Sequence, residues 1–96
     1  MSRILIAEDE PRIAAFVEKG LKANGFATTV VTDGRSALAR ARSGEADLLV
    51  LDIGLPGMDG FAVLRALRAE KVSLPVIILT ARDGVVNVGK DSYRPW

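Results

Sequence analysis

The chain contains no cysteine and no histidine. Without cysteine there is neither a disulfide nor a thiolate metal site. Without histidine the usual zinc sites, imidazole acid–base catalysis and Ser-His-Asp triads are excluded as well. An excess of either charge is also missing: 13 basic and 12 acidic residues leave a formal net charge of +1, a balance that calls for neither nucleic acid nor an anionic membrane. No apolar run is long enough for a membrane span or a signal peptide, since the N-terminal MSRILIAEDE is soon interrupted by acid. The expected compartment is the cytoplasm. Hydrophobic residues are plentiful at 49%, which favours a packed core over disorder. At 96 residues the chain makes one small domain, near the lower end of what buries a self-sufficient core.

Three short apolar runs show no alternation: Arg3 to Ala7, Asp47 to Leu51 and Val76 to Leu79. Such runs suit strands buried on both faces, as in a parallel sheet covered by helices. The segment GFATTVV before Thr32 is more mixed and reads as a strand with one wetter side, at a sheet edge. Helical spacing fills the gaps. Pro11 to Asn24 places Ile13, Phe16, Val17 and Leu21 on one face, with Pro11 suited to the first turn and Gly25 to the stop. Arg35 to Ser43 turns Ala37, Leu38 and Ala41 inward, and Phe61 to Glu70 does the same with Phe61, Leu64 and Leu67. The order βαβαβαβ predicts an α/β fold with right-handed crossovers. After Ala81 the pattern weakens, and Val85 to Val88 is read as a short strand or a helical turn.

In an open parallel sheet, functional groups collect beyond the carboxyl ends of the strands. Here the first run ends in Glu8, Asp9 and Glu10, the third strand in Asp52 and the fourth in Thr80. Clustered carboxylates repel, and a divalent cation removes the repulsion. Oxygen-only ligands suit magnesium, which keeps waters and accepts a phosphate oxygen. A carboxylate beside such a metal can attack phosphorus, and a nearby threonine hydroxyl can donate to the phosphoryl oxygens. Taken singly, each acid also fits a helix cap or a solvated loop charge, and Glu10 before Pro11 is read as that alone. A nucleotide site is disfavoured because no glycine-rich loop follows the first strand.

The segments ILIAEDEPRI, DLLVLDIGLPGMDGFAVLRALR and LPVIILTAR resemble the receiver domain of bacterial two-component response regulators, particularly those followed by a winged-helix DNA-binding domain. The resemblance runs from about Arg3 to Asp83. It implies a flavodoxin-like doubly wound sheet of order 2-1-3-4-5. It implies that Glu8, Asp9, Asp52 and the backbone carbonyl of Gly54 hold Mg2+, and that Asp52 takes a phosphoryl group from a sensor histidine kinase. Pro56 and Gly57 then shape the following loop, Thr80 is the switch hydroxyl and Ala81 the small residue beside it. Such a domain catalyses its own phosphorylation and dephosphorylation rather than acting as an enzyme on other substrates. An aspartyl-phosphate hydrolase would want a second carboxylate where Gly54 stands.

The tail departs from that family. Only 16 residues follow Thr80, too few for an ordinary fourth helix, a fifth strand ending in lysine and a fifth helix. Either DSYRPW is a compressed DxYxxKPF, with Tyr93 as the switch aromatic and Arg94 in place of lysine, or residues 84–96 are unrelated sequence from truncation, frameshift or engineering; the second is preferred. Lys90 is the only lysine there, in surroundings unlike the motif, and arginine does not replace a lysine at such a site. The expected sheet is therefore 2-1-3-4 with the fifth strand missing or atypical. An uncovered fourth strand would be an exposed apolar edge, so a homodimer or higher oligomer through that edge or through swapped elements is expected, or the Val85 to Val88 segment adds there as a short strand. The competing function is a non-phosphorylated interaction or dimerisation module. Direct DNA binding by this chain is not expected, as it contains no winged-helix segment.

Overall fold

Strands buried on both sides need covering on both sides, and the computed structural model, which describes residues 2–82 and 85–90, shows how the chain provides it. Strands β1 (Arg3–Ala7), β2 (Ala27–Val31), β3 (Leu48–Asp52), β4 (Val76–Arg82) and β5 (Val85–Lys90) form one sheet in the order β2-β1-β3-β4-β5. The first four are parallel, connected by α1 (Pro11–Ala23), α2 (Gly34–Arg42) and α3 (Gly60–Ala69). This is the expected doubly wound arrangement of order 2-1-3-4. The mixed segment forms the edge strand β2, half-buried at four of its five positions.

The two sheet faces bury separate clusters. Leu5, Ala7, Leu49, Leu51, Val76 and Ile78 meet Ala37, Leu38 and Ala41 of α2 and Val63 and Leu67 of α3. On the other face Ile4, Ile6, Val50 and Leu79 meet Ile13, Val17 and Leu21 of α1. Each helix begins on an acidic cap whose side chain accepts a backbone N–H: Glu10 from Arg12, Asp33 from Ser36 and Asp59 from Ala62. Glu10 thus has the capping role read for it.

Two expectations need correction. Phe16 was placed on the inner face of α1, yet it is 80% exposed. At 100° per residue it lies on the flank of the stripe made by Ile13, Val17 and Leu21, beyond the reach of the sheet. The fourth strand is not an open edge, because β5 runs antiparallel along it from Arg82↔Val85 to Ile77↔Lys90. The same pairing explains why β4 continues past Thr80 to Arg82. The fifth strand is present but atypical in direction, and self-association through a sheet edge on this side would have to use β5. Tyr93 and Arg94 lie outside the described residues.

Candidate functional site

The parallel register decides which side chains meet. Ala7 pairs with both Val31 and Leu51, and Asp52 with Leu79, so β1 and β3 end within a residue of each other, level with Leu79 of β4, which itself runs on to Arg82. The Glu8 N–H donates to the Val31 carbonyl at 3.0 Å, which continues the ladder one residue past β1 and fixes the Glu8 backbone. Its side chain turns inward and is 3% exposed, the one buried charged group among the described residues. Asp9 is exposed and Asp52 is half-buried. Glu8, Asp9 and Asp52 each offer a carboxylate oxygen, and these lie within 4.8 Å of one another. The structure therefore brings together the three acids singled out in the sequence.

The electrostatics show what this proximity costs. The Glu8 carboxyl is pushed up to about 7, first by burial and then by the charge of Asp52, against the opposing effect of the Glu10 N–H that its Oε2 accepts at 2.9 Å. Asp52 is also raised, first by burial and then by Asp9, while the Gly54 N–H donating to its Oδ1 at 3.2 Å opposes the shift. Near neutral pH a protonated Glu8 can donate to Asp52, which relieves one repulsion but leaves Asp9 facing the pair. A hard cation with oxygen ligands is the other remedy, and this donor set, free of nitrogen and sulfur, fits Mg2+.

The loop after Asp52 is held tightly. Leu55 is buried in the α2–α3 cluster, and Gly57 has φ +78°, a left-handed conformation suited to glycine. The Ile53 N–H donates to the Leu79 carbonyl at 3.3 Å and its carbonyl accepts from Gly60 at 2.8 Å. Gly54, exposed, is thereby suspended beside Asp52. Thr80 and Ala81 follow Leu79 on β4, which puts the Thr80 backbone at the same sheet edge.

Two placements were not legible from sequence spacing. The antiparallel β5 puts Lys90 opposite Ile77, three positions back from Thr80 along β4 and roughly 10 Å towards the far end of the sheet. Lys90 therefore does not stand at the acidic edge; Asn87 does, opposite Thr80. Gly34 and Gly60 also emerged only from the structure, as points where helix starts touch the loop. An Asp-Gly pair opening both α2 and α3 was the available signal.

Comparison with known proteins adds an independent finding. The family described as response regulator receiver domain matches residues 4–91. The chain is 45% identical over 85 residues to the transcriptional regulatory protein TcrA of Mycobacterium tuberculosis, covering 88% of this chain and 34% of TcrA. It thus spans about a third of that relative's length. The response regulator TrrA of Thermotoga maritima, solved with Mg2+ and BeF, superposes with a TM-score of 0.80 at 36% identity, covering 86% of this chain and 72% of that one. The receiver domain of the sensor histidine kinase PA1611 of Pseudomonas aeruginosa, solved with magnesium coordinated in its active-site cleft, gives a TM-score of 0.79 at 34% identity, with coverages of 84% and 68%.

Proposed function

Because this chain belongs to the response regulator receiver domain family, homologous to the phosphoacceptor domains of two-component systems, we propose that it accepts a phosphoryl group on Asp52 from the phosphohistidine of a sensor histidine kinase. The observation that carries this reading is the meeting of Glu8, Asp9 and Asp52 within 4.8 Å at the ends of two parallel strands. A receiver is a signalling module that interacts with sensor kinases, and the one reaction proposed is its own. An oxygen of the Asp52 carboxylate attacks phosphorus. A P–O bond forms, the P–N bond to the donor imidazole breaks, and the imidazole nitrogen leaves with the electron pair. Attack of water on the same phosphorus returns the carboxylate and inorganic phosphate.

Glu8, Asp9, Asp52 and the Gly54 carbonyl are the proposed Mg2+ ligands. When bound, the ion would neutralise charge on the transferring group. Burial keeps Glu8 fixed, and the Gly54 N–H orients one Asp52 oxygen so that the other is left to attack. Thr80, whose backbone follows Leu79 on β4, is the proposed donor to a phosphoryl oxygen. Residues 1–96 are read as one receiver unit, working in the cytoplasm; among the described residues no helix is long and apolar enough to cross a membrane.

A second reading has one observation in its favour. The lysine of the tail stands away from the acidic edge, which suits a module that binds partners, or a second copy through β5, without being phosphorylated. Intact mass after incubation with Mg2+ and acetyl phosphate separates the two. One added phosphate on the parent chain and none on Asp52→Asn is expected. A folded, Mg2+-binding parent that stays unmodified would leave the second reading.

A further inference from the structure

The loop between Asp52 and α3 meets glycine at two places, and at both the close neighbour is backbone. A Cβ on Gly60 would fall 2.7 Å from Ile53 Cα and 3.0 Å from the Asp52 carbonyl carbon. A Cβ on Gly34, the first residue of α2, would overlap the Met58 carbonyl and lie 2.8 Å from Met58 Cβ. Gly34 also donates its N–H to the Pro56 carbonyl at 3.3 Å. Neither φ is left-handed, since the positive-φ glycines are Gly25, Gly44 and Gly57. Close approach, and not backbone conformation, is therefore what excludes a side chain at these two positions.

Room for a methyl group at Gly60 has to come from one partner or the other. Helix α3 is anchored by Val63 and Leu67, both fully buried. Asp52 is the last residue of β3, tied to β4 on one side only, at Asp52↔Leu79. The weaker anchor gives way, and that anchor carries the carboxylate. Gly34 acts at one remove: it touches the loop at Pro56 and Met58, and the loop suspends Gly54.

We propose that Gly60 and Gly34 are positioning residues that seat the first turns of α3 and α2 on the 52–60 segment and so set Asp52 and the Gly54 carbonyl at the right distance from Glu8 and Asp9 for a divalent cation. The inference rests on the reading of the acidic cluster as a Mg2+ site. It differs from a purely structural role in what it predicts. A packing defect lowers the melting temperature and leaves the site of each folded molecule intact. A misplaced carboxylate changes Mg2+ affinity in molecules that are fully folded, since displacements near 1 Å are enough to spoil such a site.

The experiment titrates the whole chain with Mg2+ by calorimetry, well below the melting transition of each variant. Gly60→Ala and Gly34→Ala are compared with the parent and with Gly20→Ala, a control in α1 where nothing lies within 4 Å of the added methyl. Expected is a roughly tenfold or greater loss of Mg2+ affinity for Gly60→Ala, a smaller loss for Gly34→Ala, and parental affinity for Gly20→Ala. Folded Gly60→Ala with parental affinity overturns the inference. A parent that binds no Mg2+ overturns the site reading itself, which is a distinct result. If Gly60→Ala does not fold, amide spectra of the parent decide: Mg2+ must shift the Gly60 and Gly34 amides, and unmoved signals at both overturn the proposal.

Discussion

Single residues differ in whether their surroundings justify them. Gly34 and Gly60 are required by close backbone contact, whereas Gly20 is not: it lies inside α1, about one turn before its end, on the exposed side, with open space where a side chain would be. A mid-helix glycine costs roughly 0.5–1 kcal/mol relative to alanine because it loses more chain entropy on folding. Gly20→Ala should therefore raise stability by about that amount, read as a higher urea midpoint at unchanged slope. Loss of stability would mean that the exposed face of α1 is already packed against something. Phe16 is a second exposed residue on this helix, and the comparison between them is instructive. Its apolar character suggested the core, but hydrophobicity reports only that burial would be favourable, while the helical angle decides whether the sheet is within reach.

At the scale of elements, the helix ends were legible where chemistry is local and illegible where partners are distant. Pro11 and Gly25 bracketed α1 correctly. Its end is a Schellman motif, with Gly25 donating to the Lys22 carbonyl and Phe26 to Leu21. α3 ends in the same way, Lys71 donating to Arg68 and Val72 to Leu67. Here, however, the left-handed position is held by Lys71 at φ 60°. A side chain is strained in that conformation, so Lys71→Gly should stabilise the domain by about 0.5–1 kcal/mol, the steric relief being partly offset by the freer unfolded chain. Thermal unfolding would check this, and a lower melting point would show that Lys71 makes contacts worth more than its strain. The strands tell the complementary story. Unbroken apolar runs identified β1, β3 and β4 because both faces of those strands are buried. The run Val85–Lys90 carried only a weak signature, and although the uncovered edge of β4 was expected, no local pattern records that the chain would fold back antiparallel along it.

At the scale of the molecule, the acidic cluster of Glu8, Asp9 and Asp52 was legible in its membership and not in its energetics. The three acids stand at the ends of recognisable strands, so topology alone brings them together; that Glu8 is buried while Asp9 is not depends on the inward turn after β1. The consequence is a stability that depends on pH in a direction opposite to ordinary surface carboxylates. Glu8 is raised from 4.5 to about 7, and Asp52 is raised as well. Between the unfolded and folded values the native state keeps a proton that the unfolded chain has released. Stability contributed by these groups is therefore complete below the unfolded value and is lost as pH rises through the folded one. Glu18, Asp33 and Glu70 are shifted downward and act only in more acidic solution. The metal-free domain should thus be less stable at about pH 8 than at about pH 5.5 by on the order of 2 kcal/mol, read as a lower melting temperature. On the proposed site, Mg2+ would compete with the proton for the same oxygens, so its stabilisation should be larger at the higher pH. Melting curves in chelator and in excess Mg2+ at both pH values test the two statements together. Glu8→Gln, which keeps the shape and removes the titration, should flatten the chelator series; a slope that persists in that variant would assign the effect to another group.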